Sequence, residues 1–302
     1  MKKILFCILT VVCVITLTAG AQSPFLRLEF SCDPGENPQK GDVVTCTVRY
    51  TDINEAGLSS IEFSVDFSDG LEFNNDAVAT GIPSGWELWK PNVSENGVKF
   101  AVVDDTVVTP CKNDIEITFS FTVASDKVSR EYVQLTESYI YDFDTNEVGD
   151  IDSSISHSPF MTNIPDVSVE NVGASLRINK SPALRFGLKY DVLPDGAKVG
   201  VLVCETAKLD GELTHSTTLS KELDAVNKVS DGFYCTNAFE ISSNFEKYTF
   251  RPFVMLPMSD GGEYYLYFDA LERSASDVAA AELEDETDET LREILKGFSV
   301  NS

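Results

Sequence analysis

The clearest pattern in the chain runs from residue 57 to 73. Ile61, Phe63, Val65 and Phe67 alternate with Ser60, Glu62, Ser64 and Asp66. A period of two with β-branched and aromatic residues on one side predicts a half-buried strand. Ser68-Asp69-Gly70 supplies turn chemistry, and Leu71 and Phe73 return to the apolar side. Related strand patterns occupy residues 25–30, 43–50, 86–89, 98–103, 115–123 and 132–140, and a last strand falls between 147 and 160. About nine short strands separated by turn signals, with no convincing helix, predict a β-sandwich.

Pro159 and Pro165 punctuate residues 158–172, and the pattern restarts after them, so a domain boundary is expected near Asp166. The second half reads as strands at 173–178, 184–190, 248–255 and 263–268, with Asp260-Gly261-Gly262 as a turn. Residues 199–204 form an apolar run of buried-strand length. The end changes character. Ser274-Ala275-Ser276-Asp277 has capping-box chemistry, and Leu291, Ile294 and Leu295 share helical spacing before a stop expected at Gly297. The acidic run 282–289 reads as a solvated helix face or loop. The expected architecture is all-β: a sandwich over 22–165, then a β-rich domain with a helical C-terminus over 166–302. A length of 302 residues suits two domains, each able to bury a core.

The amino end adds a compartment. Lys2 and Lys3 precede an apolar run from Ile4 to Leu17, followed by Ala19-Gly20-Ala21. That is the pattern of a secretory signal peptide, with cleavage expected after Ala21. The run is short for a membrane-spanning helix, which needs about 20 residues. The formal charge is −26, and −28 once Lys2 and Lys3 leave. Such a surface repels nucleic acid and anionic lipid, and favours solubility outside the cell. Five cysteines remain after cleavage: Cys32, Cys46, Cys111, Cys204 and Cys235. Either Cys32 pairs with Cys46 and Cys204 with Cys235, or all five are small buried hydrophobes. With His157 and His215 the only histidines and no Cys-x-x-Cys, no structural zinc site is expected.

Four stretches carry a family resemblance: Lys40-Gly41-Asp42-Val43-Val44, the 57–66 segment with Leu71-Glu72-Phe73, the 98–105 segment ending in Asp104-Asp105, and 117–123. Together they resemble a cohesin, the receptor module of cellulosome scaffolds, over about residues 25–163. Phe67-Ser68-Asp69-Gly70 stands where cohesins usually show a Tyr-Asp-Pro-like corner. The resemblance implies a nine-stranded, jelly-roll-like sandwich that binds a dockerin through one sheet face, built from the strands matching 59–67, 86–90 and 98–104. Carried over by position, the contacts are Glu62, Ser64, Asp66, Lys99, Ala101 and Val103. Ala101 and Val103 are either covered by a partner or packed under the 74–85 connection. The second domain resembles accessory domains in secreted proteins of anaerobic Gram-positive bacteria, a likeness that implies no activity.

Two further sites are candidates. Trp86 and Trp89 flank Glu87-Leu88, and an exposed indole can stack on a sugar ring. Positions three apart on a strand face opposite ways, so one of the two belongs to the core. Asp142, Asp144, Asn146 and Asp150 space oxygen ligands like the start of a calcium loop. However, Glu147 stands where glycine is needed and Ser153 where a closing glutamate belongs, which favours an acidic hairpin turn. No Gly-x-Ser-x-Gly, P-loop or His-Glu-x-x-His occurs, so no enzyme and no cofactor are expected. The expected function is a secreted, non-catalytic receptor for dockerin-bearing polysaccharide-degrading enzymes. The alternatives are a module that binds plant polysaccharide directly and a structural surface protein.

Overall fold

A computed structural model describes residues 26–104, 106, 109–142, 159–178 and 182–299 fully, and the strand backbones at 13–17, 147–150 and 155–156. The chain divides into two compact units, residues 1–164 and 165–302.

Unit 1 contains β1 (Cys13–Leu17), β2 (Leu26–Asp33), β3 (Val43–Thr51), β4 (Leu58–Phe67), β5 (Leu71–Phe73), β6 (Val78–Thr80), β7 (Trp86–Leu88), β8 (Asn92–Val93), β9 (Gly97–Asp104), β10 (Ile115–Val123), β11 (Ser129–Glu131), β12 (Val133–Asp142), β13 (Glu147–Asp150), β14 (Ile155–Ser156) and β15 (Phe160–Thr162). One sheet has the order β1-β2-β3-β10-β5, with β6 also on β10. The facing sheet has the order β13-β12-β4-β9-β7, with β14 on β12 and β8 on β9. All the pairings are antiparallel. The alternation read from sequence becomes the sandwich core. Ile61, Phe63, Val65 and Phe67 point inward with Val98, Phe100, Val102, Ile117, Phe119 and Phe121. Phe63 stacks on Phe100 at 4.6 Å between ring centres, and Phe100 meets Phe119 at 4.8 Å.

The expected cohesin-like signature stretches have structural work to do. Gly41 donates to the carbonyl of Val123 and Val123 to that of Asp42, so Lys40-Gly41-Asp42 ties the start of β3 to the end of β10. Gly57 turns the chain into β4 with φ +76°, and a Cβ there would lie 2.7 Å from Pro110. The departure at Ser68-Asp69-Gly70 is explained by Glu131. This carboxylate is buried and accepts hydrogen bonds from Ser68 and Ser129. A Cβ on Gly70 would meet its Oε1 at 2.0 Å. The corner is therefore shaped around a buried acid supplied by β11.

The apolar segment read as part of a signal peptide supplies β1, which lies along the outer edge of β2 with Ile15 opposite Leu28. Cys32 and Cys46 oppose each other across β2 and β3 and are joined by a disulfide. Cys204 and Cys235 are not joined, which corrects that pairing: they sit on strands of different sheets.

Unit 2 continues with β16 (Val169–Arg177), β17 (Ala183–Tyr190), β18 (Lys198–Glu205), β19 (Lys221–Asp224), β20 (Asn227–Ser230), β21 (Phe233–Cys235), β22 (Phe239–Glu240), β23 (Tyr248–Pro257), β24 (Glu263–Tyr267), β25 (Leu271–Arg273), α1 (Ala275–Asp285) and α2 (Glu289–Ser299). Its sheets have the orders β16-β17-β21-β20, with β22 on β17, and β19-β18-β23-β24, with β25 on β23. Ser274 caps α1 in a reciprocal box with Asp277, at 3.0 and 2.8 Å. Gly297 does not end α2, which runs to Ser299. Leu295 is buried, and the Ser299 hydroxyl donates to the Lys296 carbonyl, so the last turn is held despite the glycine. No helix among the described residues is long and apolar enough to cross a membrane.

Candidate functional site: an open sheet face

The outward side of the β12-β4-β9-β7 sheet gathers all six residues assigned by position. Pairing in register sets them in rows: Glu62 faces Ala101, Ser64 faces Lys99, Ser60 faces Val103 and Asp66 faces Gly97. The Lys99 ammonium lies 3.2 Å from the Glu62 carboxylate. Asp66 and Lys99 are exposed; Glu62, Ser64, Ala101 and Val103 are half-buried. The 74–85 connection does not cover Ala101 or Val103. Its strand β6 pairs with β10, in the opposite sheet.

Trp86 and Trp89 separate as a strand requires. Trp86 is 5% exposed, lies opposite Asp104, and donates its indole N–H to the Thr109 carbonyl at 2.9 Å. It is a core residue, so it is corrected as a sugar-stacking candidate. The buried Asp104 carboxylate accepts from the amides of Thr106 and Thr109 at 2.9 and 3.0 Å. Trp89 is 51% exposed, and its amide donates to the Ala101 carbonyl, which puts it beside the row of Glu62 and Ala101.

Tyr139 and Tyr141 of β12 complete this face and were not read from the sequence. Tyr139 pairs with Glu62 and Tyr141 with Ser60. A shift of register between Leu135 and Glu137 reverses the alternation, so Val133, Leu135, Ser138 and Ile140 all point inward. Counting in twos from Leu135 would have sent Tyr139 to the core. Neighbouring strands lie about 4.8 Å apart, so β12 and β7 are about 14 Å apart across the face. Aromatic rings therefore stand on both flanks of a floor made largely of short side chains. Glu87, opposite Val103, and Glu137, which accepts from the Ser64 hydroxyl at 3.3 Å, make the surroundings acidic.

The candidate calcium loop is only partly within view. Asp144 and Asn146 lie outside the described residues. Asp142 ends β12, and Asp150 lies on β13 opposite Tyr139, so the two acids flank a hairpin. Among the described residues, no group of three or more His, Cys, Asp or Glu side chains could hold a metal ion. His157 is also outside the described residues.

The outward face of the second sheet of unit 2 is built differently. Leu202, Cys204, Phe253 and Met255 point outward from β18 and β23, with Tyr265 and Tyr267 beside them. The segment 206–220 crosses this face and buries Leu213 in it. His215 packs on Tyr265, with 3.7 Å between ring centres, and its Nδ1 lies 2.8 Å from the Tyr267 hydroxyl. That hydroxyl accepts from the His215 amide at 3.2 Å. Arg251 adds bonds to Glu212 at 3.1 Å and to the Leu213 carbonyl at 3.3 Å. The Tyr265 hydroxyl donates to Glu263, and this bond together with burial pushes its pKa up to about 12. Burial also pushes the Cys204 thiol up.

No protein-family model matches the chain, and no curated protein matches it in sequence. Similar solved structures include cohesin modules. The sixth cohesin of scaffoldin B from Acetivibrio cellulolyticus, solved with a mutant Cel5 dockerin, is 18% identical with a TM-score of 0.33, over 40% of this chain and 89% of that one. A type II cohesin domain from the cellulosome of the same organism is 12% identical with a TM-score of 0.33, over 47% and 96%. The cohesin module of a family 33 glycoside hydrolase from Clostridium perfringens is 14% identical with a TM-score of 0.34, over 44% and 93%. The chain resembles these modules, and a likeness of this degree assigns it no partner.

Proposed function

We propose that unit 1 is a non-catalytic protein-recognition module of an exported protein, and that its β12-β4-β9-β7 face docks dockerin-bearing polysaccharide-degrading enzymes. The observation that carries this reading is the open face itself. Among the described residues, Ala101, Val103, Trp89 and Tyr141 are all partly or well exposed there. Covering exposed aromatics beside small apolar residues is favourable, and Trp and Tyr are frequent anchors of protein interfaces. The sequence resemblance supplies the class of partner. Asp66, Ser64 and the Glu62–Lys99 pair would set its orientation at the edges of the contact.

The test is capture from the source organism's culture supernatant by the immobilised full chain, with calcium and with a chelator. Dockerins fold around calcium, so enzymes sharing a paired calcium-loop module should be retained only with calcium. Val103→Arg should weaken that capture at least about tenfold without unfolding the chain, because an arginine in a desolvated contact lacks a partner. Failure to capture any such enzyme removes the reading. A second reading is direct binding of plant polysaccharide, favoured by the exposure of Trp89. It expects retention on cellulose or xylan that is lost in Trp89→Ala and kept in Val103→Arg.

A further inference from the structure

The other sheet of unit 1 presents a strand edge whose chemistry matches itself. β2 carries Leu26, Leu28, Phe30 and Cys32 inward and Arg27, Glu29 and Ser31 outward. Its inner edge is bonded to β3, and its outer edge holds β1 over residues 26–30. Cys13, Ile15 and Leu17 lie opposite Phe30, Leu28 and Leu26. If residues 1–21 are removed on export, β1 goes with them. A row of backbone N–H and C=O groups on β2 then loses its partners, which makes it a template for another strand.

We propose that in the exported protein this edge is filled by β2 of a second copy, antiparallel, with Leu28 on the two-fold axis. In that register Leu28 faces Leu28 and Leu26 faces Phe30, so the apolar side continues across the junction. Arg27 faces Glu29 of the second copy, and Glu29 faces its Arg27. Both cross-strand positions on the outward side are thus opposite charges, at the separation where such pairs stabilise a sheet. The neighbouring register centred on Glu29 would set Glu29 against Glu29. The five residues 26–30 that would pair are the same five that β1 covers. Arg27 lies on the outward side of β2. It contacts Glu29 on its own strand at 2.9 Å, while its Nε is buried with no hydrogen-bond partner among the described residues. The contact is isologous, so it closes at two copies. It joins two β2-β3-β10-β5 sheets, and it leaves the docking face free because that face belongs to the other sheet.

The test uses the chain exported by a bacterial host with residues 1–21 included, its N-terminus fixed by intact mass, followed by sedimentation across a concentration series. The wild-type protein should lack residues 13–17 and form a dimer. Arg27→Glu should weaken the dimer about tenfold or more, since it sets like charges opposite each other twice. The swap Arg27→Glu with Glu29→Arg should bring the affinity back to within about threefold of wild type. Amide exchange gives a readout without any variant: protection over residues 26–30 should rise with protein concentration. A mature chain that stays monomeric up to about 100 μM, one that still carries β1, or a dimer indifferent to Arg27→Glu with no change of protection in β2 would each overturn the proposal. Dockerin capture fails or succeeds independently of all three.

Discussion

The outward face of the β12-β4-β9-β7 sheet in unit 1 and that of the β19-β18-β23-β24 sheet in unit 2 both carry aromatic rings, but they are finished differently. In unit 2 the chain covers its own face. Leu213 is buried against Phe253 and Met255, and His215 and Arg251 fasten the covering segment. In unit 1 the corresponding rings, Trp89, Tyr139 and Tyr141, stand over a floor of Ser60, Ala101 and Val103 with polar residues among them. The difference lies in side-chain size and polarity. Leu202, Cys204, Phe253 and Met255 form a continuous apolar layer, and leaving it wet would cost more than ordering 206–220 over it. Serines and charged pairs on β4 and β9 tolerate water.

The sharpest way to break this comparison is through the two tryptophans of unit 1. Trp86→Ala should destabilise the chain by about 3–5 kcal/mol, as loss of a large core side chain does, whereas Trp89→Ala should change stability by no more than about 0.5 kcal/mol. Denaturant unfolding measures both, and equal costs would mean that the face around Trp89 is covered after all. Leu213→Ala comes next, with an expected loss of about 2–5 kcal/mol in the stability of unit 2 and new cleavage by a protease within 206–220. A neutral result would show that this segment is an ornament on the sheet. His215→Ala should have the smallest effect, about 1 kcal/mol, because it removes a hydrogen bond to Tyr267, an exposed contact with Glu222 and ring contacts with Phe253, Tyr265 and Tyr267 but leaves Leu213 and Arg251 in place. Faster cleavage in 206–220 without a shift in the unfolding of unit 1 is the expected pattern.

Particular residues show what was legible. The alternation of Ile61, Phe63, Val65 and Phe67 led directly to the core, because a half-buried strand cannot be written any other way. The same reasoning divided Trp86 from Trp89 without naming which was inside. The run 199–204 was legible as buried; its cause was not, since β18 is covered inside by one sheet and outside by the loop that follows it, which is held there by Arg251, Tyr265 and Tyr267. Gly200 belongs to the same account: a Cβ there would meet the Phe253 ring at 2.7 Å, a contact between residues that only pairing of β18 with β23 brings together. The cysteine pairs make the contrast plain. Cys32 and Cys46 are fourteen apart across a turn between adjacent strands, which sequence spacing can anticipate. Cys204 and Cys235 have similar credentials in sequence and sit in different sheets.

Composition and local periodicity therefore determined the all-β class, the capped helix at Ser274 and the strands β4 and β9 that carry the candidate face, because these depend on neighbours within about ten residues of the chain. The tertiary structure decided the rest. It brought Tyr139 and Tyr141 to the open face through a bulge, placed Glu131 beneath the Ser68-Asp69-Gly70 corner, and drew 206–220 over the aromatic sheet of unit 2. Each of these joins residues distant in sequence, and their energy comes from surfaces that exist only once the sheets have paired.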